Sequence, residues 1–230
     1  MLDLPLYIPI VFIATALATL LFLVYAIRNS KYSKYTPGIA SGLAIWLLFQ
    51  LVISLKGFYY TDTKSIPPRF GLLIGPPLLL IIFLFAARGG RRFIDSLPLV
   101  PLTALSIVRI PVEITLYWLY MHKYVPELMT YTGRNFDLIS GNAAPFVAYA
   151  IYNNLISKKV ILLWNIIGLG LLLNIVINAV LSAPLAFQQF GFEQPNVALF
   201  YFPFVWLPSF IVPVVLFTHL VGIRRALSRG

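Results

Sequence analysis

Residues 106–120 read SIVRIPVEITLYWLY, and whether this stretch crosses a membrane decides the fold. It lies inside the longer apolar run Ser96–Met121, whose only charges are Arg109 and Glu113. A guanidinium near the middle of a spanning helix costs roughly 3 to more than 10 kcal/mol, so it must face protein, water or a partner rather than lipid. Four residues apart on a helix, the two side chains share a face. The pair is therefore the first candidate site as well as the test of the fold.

The rest of the chain settles the environment. With 60% apolar and 10% charged residues and a mean hydropathy of +0.89, 230 residues are too apolar for a water-soluble domain of this size. No polar stretch is long enough to bury a core of its own. The expectation is one all-α integral membrane domain over residues 1–230, a seven-transmembrane-helix bundle in the cell (inner) membrane. The first apolar run, with no Lys or Arg before Arg28, reads as a retained helix rather than a cleaved signal.

The expected spans are Leu4–Ile27, Gly38–Lys56, Phe70–Ala87, Ser96–Met121, Asn142–Ser157, Val160–Leu181 and Val197–Val221, set against the roughly 17–25 residues that a hydrocarbon core of about 30 Å requires. Arg28, Lys31, Lys34, Arg88, Arg91, Arg92, Lys158, Lys159, Arg224, Arg225 and Arg229 then all fall on one side, against a single acid, Asp95. Lys56, Lys64, Arg69, Lys123 and Arg134 fall on the other and are balanced by five acids. The positive-inside rule places the N-terminus outside and the C-terminus in the cytoplasm. It also accounts for the net charge of +10 without nucleic acid, which would need a basic face presented to phosphates.

Ser106, Arg109, Glu113, Tyr117 and Tyr120 form one stripe in the outer half of the fourth span, the wall of an outward-facing pocket. In that pocket Arg109 anchors an anionic group and Glu113 is its counter-ion or carries a proton. The blander alternative is an internal salt bridge that fixes helix packing. Gln50, with Trp46 and Ser54, and Asn174 and Asn178, with Gly170, supply stripes that can bind the ligand or hold helices together. Gly71 and Gly75 fit the small-xxx-small pattern of close helix approach. Among ten helix-interrupting prolines, Pro111 stands out because it lies between the two charges. Each interior proline removes a backbone donor and frees a carbonyl.

The connection His122–Gly141 is long for a bundle loop and too apolar to float in water, so it is expected to fold over the mouth as a lid. A turn in Gly133–Asp137 brings Arg134, Asn135 and Asp137 together, and Ser140 or Asn142 caps the fifth span. His122, Glu127 and Asp137 match no compact metal-ligand spacing, no cysteine is present, and no metal or cofactor is expected. His219 reads as an interfacial residue near the inner end of the last span.

Seven spans with an external N-terminus resemble the microbial rhodopsins in topology, but Val197–Val221 lacks the lysine that a retinal Schiff base requires. Pro111-Val112-Glu113 is similar to the Pro-Xaa-Glu signature of membrane carotenoid cyclases, over three residues only. The expected function is the binding and transport of a small anionic or amphipathic ligand. A membrane enzyme acting on a lipid or isoprenoid with Glu113 as general acid is the alternative, and a scaffold subunit with a membrane-protein partner or a second copy is the third.

Overall fold

The computed structural model describes residues 2–65 and 68–228, and among them there are helices and connections but no strand. Nine α-helices are present among these residues: α1 (Tyr7–Arg28), α2 (Thr36–Leu55), α3 (Gly71–Ala86), α4 (Arg88–Ser96), α5 (Leu99–Ala104), α6 (Arg109–Met121), α7 (Asp137–Tyr152), α8 (Lys158–Leu181) and α9 (Val212–Leu227). Five helical stretches are long and apolar enough to cross a membrane: Tyr7–Arg28, Ser33–Leu55, Leu99–Met121, Lys158–Leu181 and Leu207–Leu227. A sixth is added if α3 and α4, bent by 93° at Ala87, count as one.

The bend has a local cause. Ala87 is extended (ψ 140°), and after it RGGRRFIDS replaces hydrocarbon with charge. α4 buries Ile94 completely while Arg88 and Arg92 stay exposed, so it lies across the end of the bundle. There Arg224 holds the Asp95 carboxylate with Nε and Nη2 at 2.7 and 2.8 Å, and Arg225 donates to the carbonyls of Asp95 and Leu97. Lys158 at the start of α8 reaches the Ser228 carbonyl. Tyr32, between α1 and α2, meets Phe93 of α4 edge-on at 5.6 Å. The basic ends of these helices thus gather at one end of the molecule; Arg229, assigned to the same side by sequence, lies outside the described residues.

Prolines shape the spans. Pro111 cannot donate to Ile107, and the turn just before it, Leu105–Val108, tightens to a 3-10 helix between α5 and α6. Pro213 likewise leaves the Ser209 carbonyl free inside a π-helical turn, Leu207–Ile211. That carbonyl accepts the Trp46 indole N–H at 2.9 Å. Trp206 returns its own N–H to Leu47 O at 3.0 Å, and Ser54 reaches Phe200 O at 3.2 Å. The polar stripe of α2 therefore satisfies backbone that the seventh apolar segment leaves open. That segment runs as continuous helix only from Leu207, not from Val197 as the hydropathy suggested, because Val197–Trp206 folds as largely buried turns with one 3-10 turn at Ala198–Phe200.

The end opposite the basic cluster is built largely from such chain. Val197 and Ala198 both donate to Tyr124 O at 3.1 Å, Gln194 donates to Tyr120 O and Val125 O, and the Asp3 amide donates to the Tyr124 hydroxyl. The 122–136 connection is not a lid over the mouth. Val125, Met129, Thr130 and Asn135 are buried, and the chain descends until Asn135 meets Glu113. Eight residues separate Glu113 from Met121, which at 1.5 Å per residue is about 12 Å below the top of α6. There Asn135 itself is buried, while Arg134 and Phe136 on either side of it are exposed. α7 consequently starts at Asp137, inside the bundle. It has no side-chain cap, and Ser140 and Asn142, expected to cap it, lie within its first turns.

Close helix approach occurs at glycines other than those the pattern suggested. Space around Gly71 and Gly75 is open, whereas a Cβ on Gly168 would stand 2.4 Å from the His219 ring, one on Gly222 2.4 Å from the Asn165 amide, and one on Gly141 2.9 Å from Ile110. These three contacts press α8 against α9 and α7 against α6.

Candidate functional site

Arg109 opens α6 with its side chain only 4% exposed. Its Nη1 donates to Asp137 Oδ1 at 3.0 Å. Its Nη2 donates to the Gly168 carbonyl at 3.2 Å and meets His219 Nε2 at 2.9 Å. Arginine has no acceptor, so His219 Nε2 must supply the lone pair. The imidazole proton then sits on Nδ1, which points at Asn165 Oδ1 at 3.1 Å, and the Asn165 amide donates on to Ile161 O. This assignment follows from the hydrogen-bond network. A single chain of contacts thus joins α6, α7, α8 and α9.

Glu113, one turn further along α6, is 1% exposed and stands apart from the guanidinium's contacts. The counter-ion of Arg109 is Asp137, not Glu113. Asn135 links the two acids: its amide nitrogen donates to Glu113 Oε1 and to Met129 O, and its Oδ1 accepts the Asp137 amide N–H at 3.0 Å. Glu113 Oε2 has no hydrogen-bond partner among the described residues, and the same is true of Arg109 Nε and the hydroxyls of Ser106 and Ser140.

Glu113, Asn135 and Asp137 form the polar side of a cavity of about 170 Å³ between α3, α6, α8 and the start of α9. Its other walls are hydrocarbon, among them Ile74, Leu116, Leu172, Val176, Leu207 and Val212. A cavity of about 150 Å³ with such walls holds a benzene-sized molecule and otherwise stays dry. Chemically, the space fits a small apolar body, and the Glu113 carboxyl, with Oε2 unpartnered, lies just behind its wall.

The remaining expected site residues are elsewhere. Tyr117 and Tyr120 do not line the cavity: Tyr117 packs on Tyr131 at 5.1 Å, and Tyr120 uses its carbonyl to hold Gln194. Gln50 accepts the Tyr59 hydroxyl at 2.6 Å, near the C-terminal end of α2. Asn174 holds the Arg134 carbonyl at 2.7 Å and Asn178 turns back on Asn174, while Arg134 lies over the Phe190 ring at 5.8 Å. Of the expected turn cluster, Asn135 and Asp137 come together and Arg134 points away. His122 contacts Trp118 O, and among the described residues no group of three His, Cys, Asp or Glu side chains is placed to hold a metal.

Two members of the cluster were not legible as such. His219 is 1% exposed and is not interfacial; an ionisable group within a hydrophobic span is a site by default, and that rule applied to it as much as to Arg109. Asn165 carried no comparable signal beyond being polar in an apolar run.

No curated protein and no solved structure matches the chain. Residues 68–227 match a family model, a stretch that runs from just before α3 through α9 and carries every residue of the Arg109–Glu113 cluster. By that match the chain belongs to the family described as "Domain of unknown function (DUF8737)".

Proposed function

We propose that the protein is a seven-crossing protein of the cell membrane, N-terminus outside, that binds and moves a small amphipathic ligand in the cavity beside Glu113. The alternation of chain ends supports the crossing count: α3, of 16 residues, connects the two ends of the bundle, and so does the descending 122–136 chain together with α7, also of 16 residues. The gathering of basic residues at one end supports the orientation through the positive-inside rule.

The observation that carries the ligand reading is Glu113 Oε2, buried without a partner at the polar side of a hydrocarbon-walled space. A buried acceptor left unpaired costs about 1–3 kcal/mol, which a ligand hydroxyl or ammonium would recover. The anion-anchoring role expected of Arg109 is set aside, because both its terminal nitrogens are engaged by protein groups. The cluster holds one cation against two carboxyls and is neutral when Glu113, which has no cation in contact, keeps a proton. That same proton favours the second reading, an enzyme in which Glu113 acts as general acid on an isoprenoid or lipid chain.

Thermal unfolding of the purified chain with benzyl alcohol or toluene tests the site. Benzyl alcohol is expected to stabilise the wild type more than toluene does, and Glu113→Leu to erase the difference. Equal stabilisation by both in the wild type would remove the polar-head reading. A benzylammonium-triggered current in supported membranes, lost in Glu113→Gln, supports movement. Absence of current together with an altered isoprenoid profile on expression supports the enzyme.

A further inference from the structure

A second space, of about 440 Å³, separates α2 from α3 and is backed by α1 and α9. It differs from the cavity at Glu113 in having no ionisable lining residue: Leu23, Leu43, Leu80, Ile81, Leu84 and Phe217 are typical of its wall. It opens sideways, since Leu80 is 52% exposed and Gly42 has no atom within 4 Å of where a Cβ would sit.

All the helices that frame this fissure end in cations on the same side. Leu23 of the wall is followed by Arg28 and Lys31; Ile39 is preceded by Lys34; Leu84 is followed by Arg88, Arg91 and Arg92. Five residues of α1 place Arg28 about 7.5 Å beyond Leu23, and Arg88 follows the end of α3 directly across the bend at Ala87. The interfacial layer of a bilayer, roughly 5–8 Å thick on each side, has the same depth. The Tyr32–Phe93 contact at 5.6 Å holds the α1–α2 turn against α4, so the two basic groups form one rim. Asp95, the single acid on α4, is taken by Arg224, and among the described residues none of the six cations forms an ion pair.

We propose that this fissure seats an acyl chain of an anionic phospholipid, with its phosphate held by the rim of Arg28, Lys31, Lys34, Arg88, Arg91 and Arg92. A hydrocarbon chain suits the wholly apolar lining, and the cations supply the charge complement to a phosphate.

Native mass spectrometry of the full chain in detergent, with phosphatidylglycerol or phosphatidylcholine of identical acyl chains, tests the assignment. Phosphatidylglycerol adducts should survive several-fold better in the wild type, and changing Arg88, Arg91 and Arg92 together to Gln should make the two lipids equal. Gly42→Phe, which projects into open space, should reduce adducts of both lipids, whereas Gly170→Phe on α8, also in open space, should not. Equal retention of both lipids by the wild type, or full retention in a folded Gly42→Phe, would overturn the proposal. Independently of folding of any variant, phosphatidylglycerol with a photoreactive acyl chain should label wild-type residues 39–46 or 76–84; labelling confined to other helices would equally overturn it.

Discussion

Arg109 and Glu113 sit one turn apart on α6, yet their surroundings are opposites. Around Arg109 both terminal guanidinium nitrogens are in use, and the neighbouring helices touch through Gly168 and Gly222 with no room for a methyl group. Around Glu113 one carboxyl oxygen is free and a cavity of about 170 Å³ adjoins it. The first region is a knot that ties four helices; the second is an edge where packing was left incomplete. Burial of a charge therefore does not by itself mark a ligand site. What separates the two is the space beside them: each keeps one unpartnered atom, Arg109 Nε and Glu113 Oε2, but only Glu113 lines a cavity.

The knot should be the costliest place to cut. Asp137→Ala strands a buried guanidinium and is expected to cost about 3–5 kcal/mol, read as a lowered unfolding temperature of the purified chain. Gly168→Ala comes next. Its Cβ would strike a His219 ring pinned at both nitrogens, for an expected loss of about 1–3 kcal/mol. Gly170→Ala, two residues along the same helix and in open space, should instead be neutral or stabilising by up to about 1 kcal/mol. If both alanines behave alike, the tight α8–α9 contact does not have the role assigned to it.

At the cavity edge, Glu113→Gln keeps the shape and an acceptor for Asn135, so stability should change by no more than about 1 kcal/mol while ligand-dependent effects are lost. An equally large loss for Glu113→Gln and Asp137→Ala would erase the distinction between the two regions. The smallest effect lies on α4, outside the long apolar helices. The Arg224 hydrogen bond holds the Asp95 carboxyl below its usual 3.8. Its contribution is therefore present above that value and lost as pH falls through the lower, folded one. For a pair this exposed it amounts to at most about 1 kcal/mol, and faster amide exchange confined to α4 in acid would reveal it.

The two regions were not equally readable from sequence. Arg109 and Glu113 stood out because charge within hydrocarbon is rare, and their spacing put them on one face. Asp137 stood out only as part of a turn: 28 residues from Arg109, it reaches the guanidinium because the 122–136 chain descends into the bundle. Its apolar content was readable as a reason to be buried, but gave no depth. Gly71 and Gly75 carried the pattern of close approach without the approach, since spacing specifies a face and not the neighbour opposite it.

By itself the sequence determined the all-helical class, five of its seven expected crossing stretches, and which charges collect together, because transfer free energy is a sum over local composition. Only the tertiary structure decided that Arg109 belongs to Asp137 and His219, that the α2 stripe serves the backbone around Pro213, and that space remains beside Glu113. Pairing and vacancy depend on how closely separate backbones approach. That distance is set by packing across the whole bundle and is not encoded in any one segment.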